Sequence, residues 1–328
     1  MGKLANPKNT IAVVSQHDFD FRKRFGQNFL VDEGVILRAL EAAEVNKNDV
    51  IFEIGPGIGT LTQYLCEAAQ SVAAIEIDRK LIPILEETLQ QYDNVRIINQ
   101  DVLKTDLLGL AREYEAGRPQ ADDPSGQEAE ESGASSAQQE EASGAAHRYV
   151  PKHGLKIVAN LPYYITTPIL MGLMRQKIPA QSVTVMVQKE VADRMTAQPG
   201  GKDYGSLSIA VQYYSRPRIV EIVPPESFVP RPKVTSAVVT MDLYEEPPTK
   251  PVDENLFIAI TRAAFEQRRK TLVNALGSNS SVPYGKDSVR EALEKMGLSS
   301  SVRGEALSLE EFIELSDLLK ASSTHEQN

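Results

Sequence analysis

The stretch Asn160 to Leu170, NLPYYITTPIL, places a side-chain amide, a proline and two tyrosines directly after the short apolar run KIVA. A strand end needs only a turn residue, and this one carries more. An amide oxygen and a nearby backbone carbonyl can accept both N–H bonds of an exocyclic adenine amine. That holds the nitrogen closer to tetrahedral and frees a lone pair otherwise delocalised into the ring. Pro162 donates no N–H and stiffens the turn, while Tyr163 offers a face for stacking. The same residues also fit a turn whose tyrosines simply pack in the core.

A second constellation is FEIGPGIGT, which sets Gly55, Gly57 and Gly59 between an apolar run and a helical pattern. Glycine lets a backbone turn sharply and approach a ligand closely. The dinucleotide fingerprint G-x-G-x-x-G needs a glycine at position 60, which Thr60 occupies, so a pyrophosphate cradle is disfavoured. Glu76 ends the next apolar run and can accept from a ribose diol. Asp101 ends the one after and can accept from an adenine amino group. Either could equally be a helix cap. With Glu53 they put carboxylates at three successive strand ends, which favours a nucleoside carrying a cation over one carrying phosphates.

The elements that must position these residues alternate. VDEGVILRALEAAEV reads as a helix capped by Asp32, DVIFEIG as a strand, TLTQYLCEAAQ as a helix and SVAAIEID as a strand. RKLIPILEETLQQY then reads as a helix, and NVRIINQD, LKIVAN and SVTVMVQ as strands. That order predicts an α/β fold with a mostly parallel sheet. SLSIAVQYYSRPRIVEIV and KVTSAVVTMDLY read as antiparallel additions at its edge. Beyond the prolines at 247, 248 and 251, three helical patterns, NLFIAITRAAFEQRRKTLVNAL, SVREALEKMG and SLEEFIELSDLLK, predict a small helical domain. The expected division is 1–246 and 252–322.

The formal charge of −10 argues against a nucleic-acid partner only until its distribution is read. Residues 112–148 hold nine acidic and three basic side chains, −6 of the total. The segment from about 111 to 148 has no apolar period and predicts a disordered acidic insertion. The rest is near balance and carries four short basic clusters: Arg22, Lys23 and Arg24; Arg216 and Arg218; Arg231 and Lys233; and Arg268, Arg269 and Lys270. The lone Cys66 excludes a disulfide framework and a cysteine zinc cluster. His17, His147, His153 and His325 lack ligand spacing, so no metal centre is predicted. The N-terminus lacks a signal-peptide core, and Asn6 stands where N-myristoylation wants Ser or Thr. No run of about 18 apolar residues is present to span a bilayer. The expectation is a soluble cytoplasmic monomer.

As a set, FGQNFL, EIGPGIGTLT, AIEID, INQDVL, NLPYYITTPI, VPPESFVPRPKVTSAVV and FEQRRKTLVNAL resemble the ribosomal RNA adenine N6,N6-dimethyltransferases, most closely the bacterial small-subunit branch. The resemblance runs over about residues 20 to 320 apart from the insertion. It implies a class I, Rossmann-like S-adenosylmethionine methyltransferase sheet, and dimethylation of two adjacent adenosines near the 3′ end of small-subunit rRNA. Carried over by position, it implies that Asn28, Leu30 and Gly55 touch the cofactor, Glu76 takes its ribose, and Asp101 and Val102 take its adenine. Asn160, with Leu161 beside it, lies between cofactor and target; Tyr163 stacks on the flipped base and Phe228 closes its other side. Three other readings stay open: a large-subunit adenine dimethyltransferase of the macrolide-resistance type, a small-subunit assembly factor with incidental methylation, and a nicotinamide oxidoreductase.

Overall fold

The computed structural model describes residues 2–17, 28–116 and 154–325. In chain order the first elements are α1 (Pro7–Gln16), β1 (Phe29–Leu30), α2 (Glu33–Ala42), β2 (Asp49–Ile54), α3 (Thr60–Ala68), β3 (Ser71–Ile75), α4 (Ile82–Leu89), β4 (Val95–Ile98) and α5 (Leu107–Glu115). After the undescribed segment come β5 (Gly154–Asn160), α6 (Thr166–Arg175), β6 (Ser182–Gln188), α7 (Lys189–Thr196), α8 (Ser206–Tyr214), β7 (Ser215–Val223), β8 (Phe228–Val229) and β9 (Ser236–Leu243). Four helices close the chain: α9 (Glu254–Glu266), α10 (Leu272–Leu276), α11 (Lys286–Lys295) and α12 (Leu309–His325).

Seven strands form one sheet in the order β4-β3-β2-β5-β6-β9-β7. The first five run parallel, and β9 pairs antiparallel with both β6 and β7. The fold is therefore α/β, with a mostly parallel sheet and an antiparallel edge. Parallel strands covered on both faces read as continuous apolar runs, and β2 is buried along its whole length. Alternate residues serve opposite faces. Ile51, Val72 and Val158 pack against α2 and α3, while Phe52, Ala73 and Ile157 pack in the cluster that takes Leu107, Leu110, Ile169 and Leu173 from α5 and α6. Asp32 caps α2 as expected, accepting the Val35 N–H at 3.2 Å.

Three expectations need correction. The run from Ser206 is not all strand: Ser206–Tyr214 is helical and only Ser215–Val223 pairs in the sheet. The reason is burial on both sides. Leu207 and Val211 join the sheet core, while Ile209 and Tyr213 join a separate core with Phe257, Ile260, Phe312 and Leu319, so no polar face shows the helical period. The pattern from Asn255 to Leu276 is two helices, broken after Glu266, with Arg268, Arg269 and Lys270 in the turn. The predicted insertion starts too early: 111–115 belong to α5 and Ala116 caps it, while 117–148 lie outside the described residues. Among the described residues no helix is long and apolar enough to cross a membrane.

At the N-terminal end of the parallel strands, Lys156 of β5 donates to Asp49 of β2 at 2.9 Å and to the Glu44 carbonyl at 2.5 Å. Both side chains are almost wholly buried, and Asn46 supplies Asp49 with two more N–H donors. Removing one member strands the other in a low-dielectric site. Lys156→Met should lower unfolding free energy by about 3–5 kcal/mol in a denaturant titration. An unchanged midpoint would show that the pair does not brace the sheet.

Candidate active site

In open α/β sheets, ligands meet the carboxyl ends of the parallel strands. The cleft here lies at that end. β2 leads into Gly55, Gly57 and Gly59, all in left-handed backbone with φ of 69°, 64° and 91°. At Gly57 the requirement is also spatial, because a Cβ would sit 3.0 Å from the Phe29 ring. At Gly55 the space is open: a Cβ there would meet only Pro162 Cδ, at 3.9 Å. The loop therefore presents bare backbone to the cleft.

Glu76 follows β3, nearly buried, and both its oxygens are placed by backbone donors. Gly57 N–H donates to Oε2 at 3.2 Å and Asp78 N–H to Oε1 at 2.8 Å. Burial lifts its carboxyl to about 7, against the pull of those two N–H groups and with a further push from Asp78. Glu53, on β2, is 1 % exposed, and its Oε2 has no hydrogen-bond partner. Burial raises it to about 8, the Thr62 hydroxyl acts the other way, and the Glu76 charge adds to the rise. Asp101 lies in the loop beyond β4 instead of at the strand end, and its Oδ1 accepts the Leu103 N–H at 3.0 Å.

On the opposite wall, β5 ends at Asn160. Its Nδ2 donates to the Asn28 carbonyl at 3.1 Å, which turns Oδ1 the other way. The Pro162 carbonyl accepts from Ile165 N–H at 3.2 Å and from the Thr166 hydroxyl at 3.0 Å, so it is committed within the turn. Tyr163 lines the wall with its hydroxyl 2.5 Å from Ser236 Oγ.

Asn28, Leu30, Gly55, Glu76, Asp101, Val102, Asn160, Leu161 and Tyr163 all line this one cleft. Phe228 does not. Its side chain, 1 % exposed, is held in the core by the pairing of Leu30 with Phe228 and by packing with Ile36, Tyr64 and Val238, so it has no free face for a base. The sequence reading also missed cleft residues. Phe29, Ile77, Gln100 and Tyr164 line it too. An isoleucine set between two carboxylates, Glu76 and Asp78, is the one local signal for Ile77, which the structure leaves half exposed; Phe29 against Gly57 is a long-range contact with none.

This geometry coincides with a family match. A model described as ribosomal RNA adenine dimethylase matches residues 18–320. The chain belongs to the ribosomal RNA adenine dimethylase family. Within it, the chain is 48% identical over 320 residues to the ribosomal RNA small subunit methyltransferase A of Lachnoclostridium phytofermentans, covering 97% of this chain and 98% of that one. It is 44% identical over 315 residues to the enzyme of the same name from Alkaliphilus metalliredigens, covering 96% and 97%. Among solved structures, a dimethyladenosine transferase from Plasmodium falciparum superposes with TM-score 0.64 at 24% identity, over 88% of this chain and 95% of that one. The 23S rRNA methyltransferase ErmE superposes with TM-score 0.58 at 23% identity, over 89% and 100%. Those two likenesses speak for the fold.

For a dimethylase the basic clusters matter as well. Arg22, Lys23 and Arg24 lie outside the described residues. Arg216 stacks over the Tyr244 ring, Arg218 pairs with Asp242 and donates to the Ala42 carbonyl, and Arg268 pairs with Glu305 and donates to the Gly201 carbonyl. Arg231, Lys233, Arg269 and Lys270 are exposed.

A carboxyl held higher in the fold than in the unfolded chain favours folding when protonated and loses that contribution as pH rises. For Glu53 the loss runs from about 4.5, its ordinary value, to about 8. In thermal melts of the ligand-free protein, Glu53→Gln should therefore raise the melting temperature on the alkaline side of this window and leave it unchanged on the acid side. Equal alkaline melts would show that Glu53 carries no such penalty.

Proposed function

We propose that this enzyme dimethylates N6 of two adjacent adenosines near the 3′ end of small-subunit rRNA, in the cytoplasm, as part of subunit assembly. The observation that carries the reading is the Asn160 amide, fixed by the Asn28 carbonyl at the end of β5, opening on the same cleft as Glu76 and the left-handed glycines. The cofactor is S-adenosylmethionine, and the donor set fits it. Bare backbone at Gly55 leaves room for the methionine part. Glu76 keeps lone pairs for a ribose diol, and Ile77, Asp101 and Val102 offer apolar surface and an acceptor to its adenine. When bound it supplies an activated methyl on a sulfonium, so each transfer breaks one S–CH3 bond, forms one N6–C bond and displaces one N6 proton to water.

The chain's own part is to hold and orient. Asn160 Oδ1 and the Leu161 carbonyl accept the two N6–H bonds and turn the nitrogen lone pair toward the methyl group. Tyr163 stacks on the base, which must leave its helix to arrive there. We assign no stacking role to Phe228 in this arrangement. Residues 252–322 act as a helical RNA-binding domain beside the catalytic part, 1–246. Arg269 and Lys270 in the α9–α10 turn, with Arg231 and Lys233, meet the phosphate backbone, and binding weakens steeply with salt. A monomer suffices for all of these roles. The small-subunit target is favoured over the large-subunit one by the 44–48% identity to enzymes named for the small subunit, against 23% to ErmE.

Incubation with methyl-labelled S-adenosylmethionine and unmethylated small-subunit particles should place N6,N6-dimethyladenosine at two adjacent positions. Asn160→Ala should slow this by about a hundredfold or more. Label confined to large-subunit RNA would move the target, and tight subunit binding without label would indicate an assembly factor.

Ribose recognition needs Glu76 as the carboxylate, present above about 7 and lost below it. Cofactor affinity, measured by calorimetry, should fall by about tenfold for each pH unit below that value. In Glu76→Gln it should be weak at every pH, and a pH-independent wild-type affinity would remove Glu76 from this role.

A further inference from the structure

We infer that Ser236 is a positioning residue for this reaction: it anchors the Tyr163 ring by its hydroxyl, and the anchor matters most for the second of the two methyl transfers. This deepens the adenine-methylating reading above and rests on it.

Ser236 is fully buried at the start of β9, where the chain is paired on both sides, opposite Gln188 of β6 and Val223 of β7. The preceding carbonyl, of Thr235, accepts the Lys189 N–H at 2.9 Å. The backbone under Ser236 is thus tied into two ladders, and its Oγ lies 2.5 Å from the Tyr163 hydroxyl. Tyr163 leaves the loop after β5 and lines the cleft, so its ring is pinned at both ends of its long axis, by the backbone and by Ser236. The next residue, Tyr164, lines the same cleft but is 59% exposed. Stacking alone asks only for an aromatic face, which phenylalanine supplies equally well. What the tyrosine oxygen and its buried partner add is orientation.

Orientation counts unequally in the two transfers. An unmodified adenine brings two N6–H groups to the two acceptors, Asn160 Oδ1 and the Leu161 carbonyl. The first transfer replaces one of these hydrogens by methyl and releases the proton to water. The monomethylated base then has a single N–H for the same pair of acceptors, and more of its alignment depends on the stacked ring. A loosened ring therefore slows the second transfer more than the first, and monomethyladenosine accumulates.

The test is the ratio of dimethyl to monomethyl product on small-subunit particles, with cofactor affinity measured in parallel by equilibrium dialysis. Ser236→Ala and Tyr163→Phe should each lower that ratio by about tenfold, the scale of one weakened base–aromatic contact. The double variant should be no worse than either single one, Ser236→Thr should restore the ratio, and cofactor affinity should stay at the wild-type value throughout. A wild-type ratio in Tyr163→Phe, or losses that add in the double variant, would overturn the anchor. If Ser236→Ala loses cofactor binding along with activity, its fold is damaged and Tyr163→Phe, with the serine intact, decides. If the wild-type protein leaves small-subunit RNA unmethylated, the adenine reading fails first and the anchor with it.

Discussion

Parallel, in-register pairing of β2 with β5 is the constraint on which the rest of this molecule depends. Ile54 lies opposite Ala159, so the next residues of the two strands, Gly55 and Asn160, emerge side by side although they are far apart in the chain. A shift of one residue would turn every side chain of a strand to the opposite face and separate the glycine loop from the amide. The register is held at both ends. The buried Lys156–Asp49 pair ties the two strands at their N-terminal end, and at the other end the Asn160 side chain ties into the lead-in through the Asn28 carbonyl.

That arrangement concentrates acceptors in a place where water is scarce. Glu53 and Glu76 are nearly buried within one cleft wall, and burial lifts both carboxyls toward neutrality. The fold carries this cost at the site. The acceptor wall is built differently. Its polar side chains, the Asn160 amide and the Tyr163 hydroxyl, are neutral, and each is held by a neighbour, the Asn28 carbonyl and Ser236 Oγ.

The helical part is joined to the sheet through α8, whose two faces belong to two cores. This double membership couples the placement of the basic turn at Arg268–Lys270 to the sheet that carries the cleft. Several basic residues that look available in the sequence are committed elsewhere. Arg218 and Arg268 close ion pairs with Asp242 and Glu305, so surface charge counted from sequence overstates what remains for a polyanion.

Local pattern was enough for strands β2 to β6 and helices α2 to α4, though not for α5 and α6, and for the Asp32 cap and the cleft residues at or just beyond strand ends: Gly55, Glu76, Asn160 and Tyr163. These are legible because strand ends, glycine turns and caps are set by residues near one another in the chain. What lay beyond the sequence was decided by contacts between distant segments. α8 lost its helical signature because two cores bury it from opposite sides. Phe228, read from its motif as a stacking ring, is drawn into the core by pairing with Leu30. Phe29 reaches the cleft only because the lead-in crosses Gly57, and the hydroxyl that holds Tyr163 comes from β9, the last strand in the chain. A sequence names the groups able to do chemistry; which of them share a cleft, and which are consumed in holding others still, follows from the register of strands and the packing between them.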